Sequence, residues 1–284
     1  MSMSPMVSGR ALRCPVCSAQ AGFETSHPLA DLYRCQSCDH CFADSCSLRR
    51  RTDYVDGYYD EAHKNWFENP NTRLFARILR EIERLGPQAA VCDVGCGRGD
   101  FLAYVRERAP GMVLRGIDLC ESRSAPGIEF IQGDIFQVTV PRTHDAVVSL
   151  ATIEHVADPH ALLDRLVDVV RPGGLIVVMT LNDRSVLYSI SRVLARLGMR
   201  ASFVRLYDPH HLNHFNRTSL RRLFEGRGLA IEQEFLHDIP LAAVDLPAEV
   251  RVPRRLALAA VGTVFLAGRL TRRTYLQTLI ARKP

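Results

Sequence analysis

Lysine is almost missing from this sequence: of its 36 basic residues only Lys64 and Lys283 are not arginine. Tryptophan occurs once, at Trp66, and aromatics make up only 7%. The basic stretches therefore lack the aromatic interleaving on which nucleic-acid bases stack, and no nucleic-acid partner is expected. No apolar run reaches the roughly 18 residues that a helix needs to span a bilayer; the longest, Leu256 to Ala267, has Gly262 and Thr263 inside it. Met1 to Arg13 lacks the basic stretch followed by an apolar core that marks a secretory signal, so a cytoplasmic location is expected. Repeats and low-complexity tracts are missing too, which excludes collagen-like and coiled-coil architectures.

Cysteine, by contrast, is concentrated. Six of the nine cysteines lie between Cys14 and Cys46. Cys14-Pro-Val-Cys17 and Cys35-Gln-Ser-Cys38 are two CxxC knuckles separated by 17 residues, the spacing of a four-cysteine zinc site. A closed tetrahedron of thiolates leaves no position for water, so a zinc ion held by Cys14, Cys17, Cys35 and Cys38 would be structural. His40, Cys41 and Cys46 compete for the fourth position.

Beyond this module, Leu74, Ile78, Ile82 and Leu85 recur at helical spacing before Gly86-Pro87. Short apolar runs then follow at Ala89–Val94, Val113–Asp118, Ile128–Gln132, Asp145–Leu150 and Leu175–Thr180, with helical stretches such as Asp100–Ala109 and Pro159–Val170 between some of them. Strands alternating with helices predict an α/β fold with a parallel sheet. Leu229–Leu236 and Tyr275–Arg282 would add two edge strands.

Where the first strand meets its helix stands Asp93-Val-Gly95-Cys-Gly97-Arg-Gly99. Glycines there let the backbone approach a ligand, and the helix offers free N–H groups. The third glycine falls one residue early for a dinucleotide fingerprint, and Asp100 takes its place, which argues against NAD. Asp118 closes the second strand, where a carboxylate can accept both hydroxyls of a ribose. Asp134 follows the third strand within Gly133-Asp134-Ile135-Phe136, and Arg171-Pro172-Gly173-Gly174 turns a helix into the fifth strand.

Together these residues resemble the class I S-adenosylmethionine-dependent methyltransferases, over about Ala89 to Pro284. The resemblance implies a Rossmann-like seven-stranded methyltransferase sheet with its last two strands antiparallel, preceded here by the small zinc module. It assigns Asp93, Gly95, Gly97 and Gly99 to the methionine part of S-adenosyl-L-methionine, Asp118 to its ribose, and Asp134 with Ile135 to its adenine. Ile153-Glu154-His155-Val156 matches a Leu-Glu-His-Val element that faces the methyl-transfer centre in small-molecule members. The domain reading is 1–50 for the zinc-ribbon-like module, 51–88 for a linker and N-terminal helix, and 89–284 for the methyltransferase domain, with insertions at 182–216 and 240–273.

The first insertion holds a basic amphipathic helix and ends in Tyr207-Asp-Pro-His210-His211-Leu-Asn-His214-Phe215. This resembles the His-Leu-x-x-Phe element of small-molecule methyltransferases and, more distantly, a segment of zinc-containing sugar C-methyltransferases, with His210 in place of a glutamate and Asp208 in place of a tyrosine. His211 and His155 are the candidate catalytic bases, since imidazole titrates near neutrality. The second insertion carries arginines on both flanks of its apolar run and suits a peripheral membrane contact, a buried lid or a homodimer face. The expected activity is methyl transfer to oxygen or carbon of a small-molecule intermediate. A lipid-linked or cell-envelope glycan acceptor, and a non-catalytic cofactor sensor or docking protein, are the alternatives.

Overall fold

Alternate residues of each central strand point to opposite faces, so a run that is apolar throughout has to be covered on both sides. The computed structural model describes residues 12–48, 64–120, 125–141, 143–208, 210–246 and 252–284. The linker expected from Arg49 to Asp60, the first eleven residues and Arg251 lie outside the described residues.

The cysteine-bearing module is built from β1 (Leu12–Arg13), β2 (Gln20–His27), β3 (Ala30–Cys35) and β4 (Cys41–Ala43). Two helices follow, α1 (Lys64–Glu68) and α2 (Thr72–Glu83), the second capped by the Asn71 side chain. Then come β5 (Ala90–Val94), α3 (Asp100–Arg108), β6 (Val113–Asp118), β7 (Ile128–Gln132) and β8 (His144–Leu150). After these the chain forms α4 (Pro159–Val169), β9 (Val170–Leu181), α5 (Val186–Arg196), α6 (Ala201–Leu206) and β10 (Asn213–His214). It ends in α7 (Arg217–Glu225), β11 (Ala230–His237), α8 (Arg254–Leu270) and β12 (Leu276–Arg282).

The main sheet has seven strands in the order β11-β12-β9-β8-β5-β6-β7. Strands β7, β6, β5, β8 and β9 are parallel neighbours, while β12 runs antiparallel to both β9 and β11. The expected antiparallel closing pair is therefore present. Strand order reverses at β5, and a crevice opens beyond the carboxyl ends of the strands there. Along the sheet Val91, Ala146, Val148 and Val177 enter one core with α2 and α3, whereas Cys92, Val147, Ile176 and Val178 enter the other with α4 and α7.

Arg171-Pro172-Gly173-Gly174 does not separate helix from strand as the sequence suggests. It lies within β9 as a bulge, across which the register against β8 jumps from His144↔Val170 to Ala146↔Leu175. Gly173 has φ +75°, and Arg171 Nε donates to Asp145 Oδ1 at 2.6 Å across the irregularity.

A second, antiparallel sheet runs β1-β2-β3-β4-β10. Its last strand comes from the first insertion, so the cysteine module and that insertion share one ladder. Beneath them Asp183 is buried between Arg34 Nη1 at 2.9 Å and Arg192 Nη1 at 3.0 Å, and it accepts the Tyr207 hydroxyl. Against the effect of its burial, the two guanidiniums hold Asp183 below the usual carboxylate range.

Candidate functional site

A cleft of about 300 Å³ opens at the strand-order reversal. At one end are the ends of β5 and β6. Gly95 has φ +73°, and a Cβ there would lie 2.2 Å from Thr152 Oγ1, so only glycine lets the chain turn beneath that side chain. Gly97 N–H donates to Asp118 Oδ2 at 2.8 Å and Cys120 N–H to Oδ1 at 2.9 Å. The Asp118 carboxylate is thus fixed by backbone at the cleft wall. Gly99 is absent from the lining; with φ +80° it starts α3 under the Phe130 ring.

Asp93 lines the same end. It is fully buried, its Oδ1 has no hydrogen-bond partner among the described residues, and burial together with the Asp118 charge pushes its carboxyl up to about 8. A buried acid of this kind, beside a second carboxylate, calls for a donor or cationic ligand to complete it. A sulfonium and an ammonium on one ligand meet that requirement, so the donor set fits S-adenosylmethionine. Asp134 Oδ1 accepts the Phe136 N–H at 2.9 Å, a turn that sets Ile135 and Phe136 on the rim. Arg165 anchors this turn through the carbonyls of Ile135 and Val138.

The other end is formed by the loop after β8 and the chain before β10. Glu154 is buried, accepts the Thr180 hydroxyl at 2.8 Å and is raised by burial to about 7. His155 Nδ1 lies 2.9 Å from the His210 carbonyl and must donate to it, which leaves the basic lone pair on Nε2 when the ring is neutral. The rings of His155 and His211 meet edge-on with centroids 4.7 Å apart. Glu154, His155 and His211 each bring one ligand-type atom within 4.8 Å of the others, and all three line the cleft. Such a set can pass a proton or hold one divalent cation.

The other two histidines of the segment are used differently. His210 is held by Asp208, with Nδ1 2.6 Å from Oδ1. His214 is buried beside Tyr207, and burial lowers its pKa to about 3, so it stays neutral. Among the lining residues the sequence reading omitted, Trp66, Phe67 and Asn71 come from α1 and the turn before α2, and Tyr275 precedes β12. Glu154 belongs to the local element Ile153-Glu154-His155-Val156, which is its sequence signal; the α1 residues carry none.

In the module, Cys14 and Cys38 Sγ lie 3.6 Å apart, Cys17 and Cys35 3.4 Å, and Cys17 and Cys38 3.5 Å. These spacings far exceed the roughly 2.05 Å of a disulfide and approach the edge, about 3.8 Å, of a tetrahedron with zinc–sulfur bonds of about 2.3 Å. Backbone N–H groups of Ser37 and Cys38 point at Cys35 Sγ at 3.3 and 3.4 Å. The four thiols fit a zinc ion. Cys41 is buried and Cys46 exposed, both outside the cluster.

A family model described as a methyltransferase domain matches residues 66–234. The chain belongs to the class I S-adenosylmethionine-dependent methyltransferases. A trans-aconitate 2-methyltransferase of Acidovorax sp. (strain JS42) is 31% identical over 126 residues, 42% of this chain and 48% of that protein. The chain thus matches about half the length of that relative. A ubiquinone biosynthesis O-methyltransferase of Cupriavidus pinatubonensis is 29% identical over 199 residues, 62% of this chain and 79% of that protein. Among solved structures, a chain of the Haloferax volcanii complex between the Trm112 methyltransferase activator and a methyltransferase shares the fold at 16% identity. Its TM-score is 0.57, and the match covers 83% of this chain and 100% of that one. The chain therefore carries the family's sheet, with a four-cysteine module amino-terminal to it.

Proposed function

We propose that this methyltransferase transfers the methyl group of S-adenosylmethionine to an oxygen or carbon of a small-molecule biosynthetic intermediate. One observation carries the reading: a single cleft has Asp93, Asp118 and Asp134 at one end and Glu154, His155 and His211 at the other. The bound donor supplies an already activated methyl group. What is left to the protein is alignment of the acceptor and removal of its proton. Asp118 would hold the ribose hydroxyls, Asp134 and Ile135 the adenine, and the glycine loop with Asp93 the methionine portion. His211 or His155 would take the acceptor's proton, with Glu154 beside them.

Cys14, Cys17, Cys35 and Cys38 would hold a structural zinc, since a closed four-thiolate site leaves no coordination position for substrate. None of the nine cysteines forms a disulfide, which suits a reducing compartment. Incubation with methyl-labelled S-adenosylmethionine and a fractionated host extract tests the reading. Label is expected in the small-molecule aqueous fraction with the native chain and in no fraction with Asp118→Ala. Label confined to lipid or macromolecule would overturn the acceptor class, and label in no fraction despite cofactor binding would favour a sensor.

A further inference from the structure

Two packed helices turn apolar residues to solvent. Along α8 the exposed positions Leu256, Ala259, Ala260, Thr263, Leu266 and Leu270 recur at helical spacing, with Leu256 at 64% and Leu270 at 78% exposure. Only Ala257, Phe265 and Gly268 of this helix are buried. Helix α5 packs on α8 and exposes Ile190 and Val193, followed past its end by Leu197 at 70% and Met199. A helix whose solvent side is this apolar is not explained by the core it covers.

Every charged residue on α5 and α8 is an arginine. Arg192 and Arg269 are paired with Asp183 and Asp238. Arg196, Arg254, Arg255 and Arg272 are exposed and form no ion pair with a described residue. No helix among the described residues is long and apolar enough to cross a membrane, so an apolar face of this kind would lie along a surface.

We propose that the α5–α8 face docks on an anionic lipid bilayer, its leucines entering the interface while its exposed arginines meet headgroup phosphates. The charge chooses this occupant. A second copy related by a two-fold axis would set arginine against arginine. A nucleic acid would need stacking rings, and the exposed positions named above include none. The docked face backs onto the cleft: Phe265 of α8 and Tyr188 of α5 each stack on Tyr275 with centroids 6.2 Å apart, and Tyr275 lines the cleft wall.

Flotation of the full chain with vesicles of phosphatidylcholine alone, and of phosphatidylcholine mixed with phosphatidylglycerol, tests the proposal. Binding is expected only to the anionic vesicles and should weaken as salt is raised. Arg254→Ala/Arg255→Ala should weaken it roughly fivefold per arginine, and Leu266→Ser/Leu270→Ser should weaken it as well. These side chains are exposed, so circular dichroism should show both variants folded. Arg108→Ala, on α3, serves as the control and should bind as the native chain does. Equal binding to both vesicles, binding to neither, or folded variants that bind like the native chain would overturn the proposal. A native dimer that the leucine variant splits would also overturn it.

Discussion

His40 Nε2 lies 3.0 Å from Asn213 Oδ1, joining the second cysteine knuckle to the strand that follows His211. Burial keeps His40 on the neutral side of its usual range, so it donates one N–H to the amide oxygen. Asn213 in turn donates its side-chain amide to the Val156 carbonyl at 2.7 Å and its backbone N–H to the Glu154 carbonyl at 3.0 Å. Asn216 adds bonds to the carbonyls of Cys38 and Asp39. The cysteine module thus buttresses both chain segments that present Glu154, His155 and His211 to the cleft.

Replacing Asn213 by alanine strands the His40 donor and the Val156 carbonyl in a buried setting. A loss of about 2 kcal/mol in unfolding free energy is expected, read by denaturant titration. Turnover should fall while donor affinity stays near the native value, because these bonds reach the segment carrying Glu154 and His155, the end proposed for the acceptor, and not Asp93, Asp118 or Asp134.

Metal content gives a second prediction. Purified chain should carry one zinc per molecule by elemental analysis, and Cys38→Ser should lower both zinc content and melting temperature. Loss of the ion loosens the sheet that β10 completes, so turnover should fall with it even though no cysteine of the cluster lines the cleft. A metal-free chain that melts at the native temperature would exclude the structural role.

Glu154 links stability to pH. Its folded pKa is raised from 4.5 to about 7 by burial, so the folded chain holds this proton more tightly than the unfolded one. Stability from this group is fully present below pH 4.5, declines as pH rises and is spent above about 7. The shift corresponds to about 3 kcal/mol. Denaturation of the ligand-free chain across this range should show a decline that Glu154→Gln makes shallower, the share from Asp93, raised to about 8, remaining.

His211→Ala should reduce turnover by roughly a hundredfold or more, the usual worth of a positioned general base. His155→Ala is the companion variant. Native turnover from both would end the acid–base assignment.

Much of the sheet was legible because each strand is a local apolar run: Val113–Asp118 and Ile128–Gln132 stand where the sequence put them. The cysteine cluster was legible for the same reason, its knuckles being fixed by spacing within a few residues. Contacts made at long range left no such mark. Strand β10 is two polar residues, Asn213 and His214, whose pairing with β4 bridges about 170 positions of sequence and has no periodicity to announce it. The cleft contribution of Trp66 and Phe67 likewise depends on where α1 packs. Arg171–Gly174 has the composition of a turn, and only the ladder against β8 shows that it is a bulge.

Calorimetric titration of S-adenosylmethionine into native chain, Asp118→Ala and His211→Ala tests the cleft assignment most directly. One saturating site per chain is expected for native protein and for His211→Ala, with affinity at least tenfold weaker for Asp118→Ala, whose lost carboxylate would have accepted the ribose hydroxyls. No saturable binding to the native chain, or equal binding by all three proteins, would contradict the placement of the cofactor between Asp93, Asp118 and Asp134.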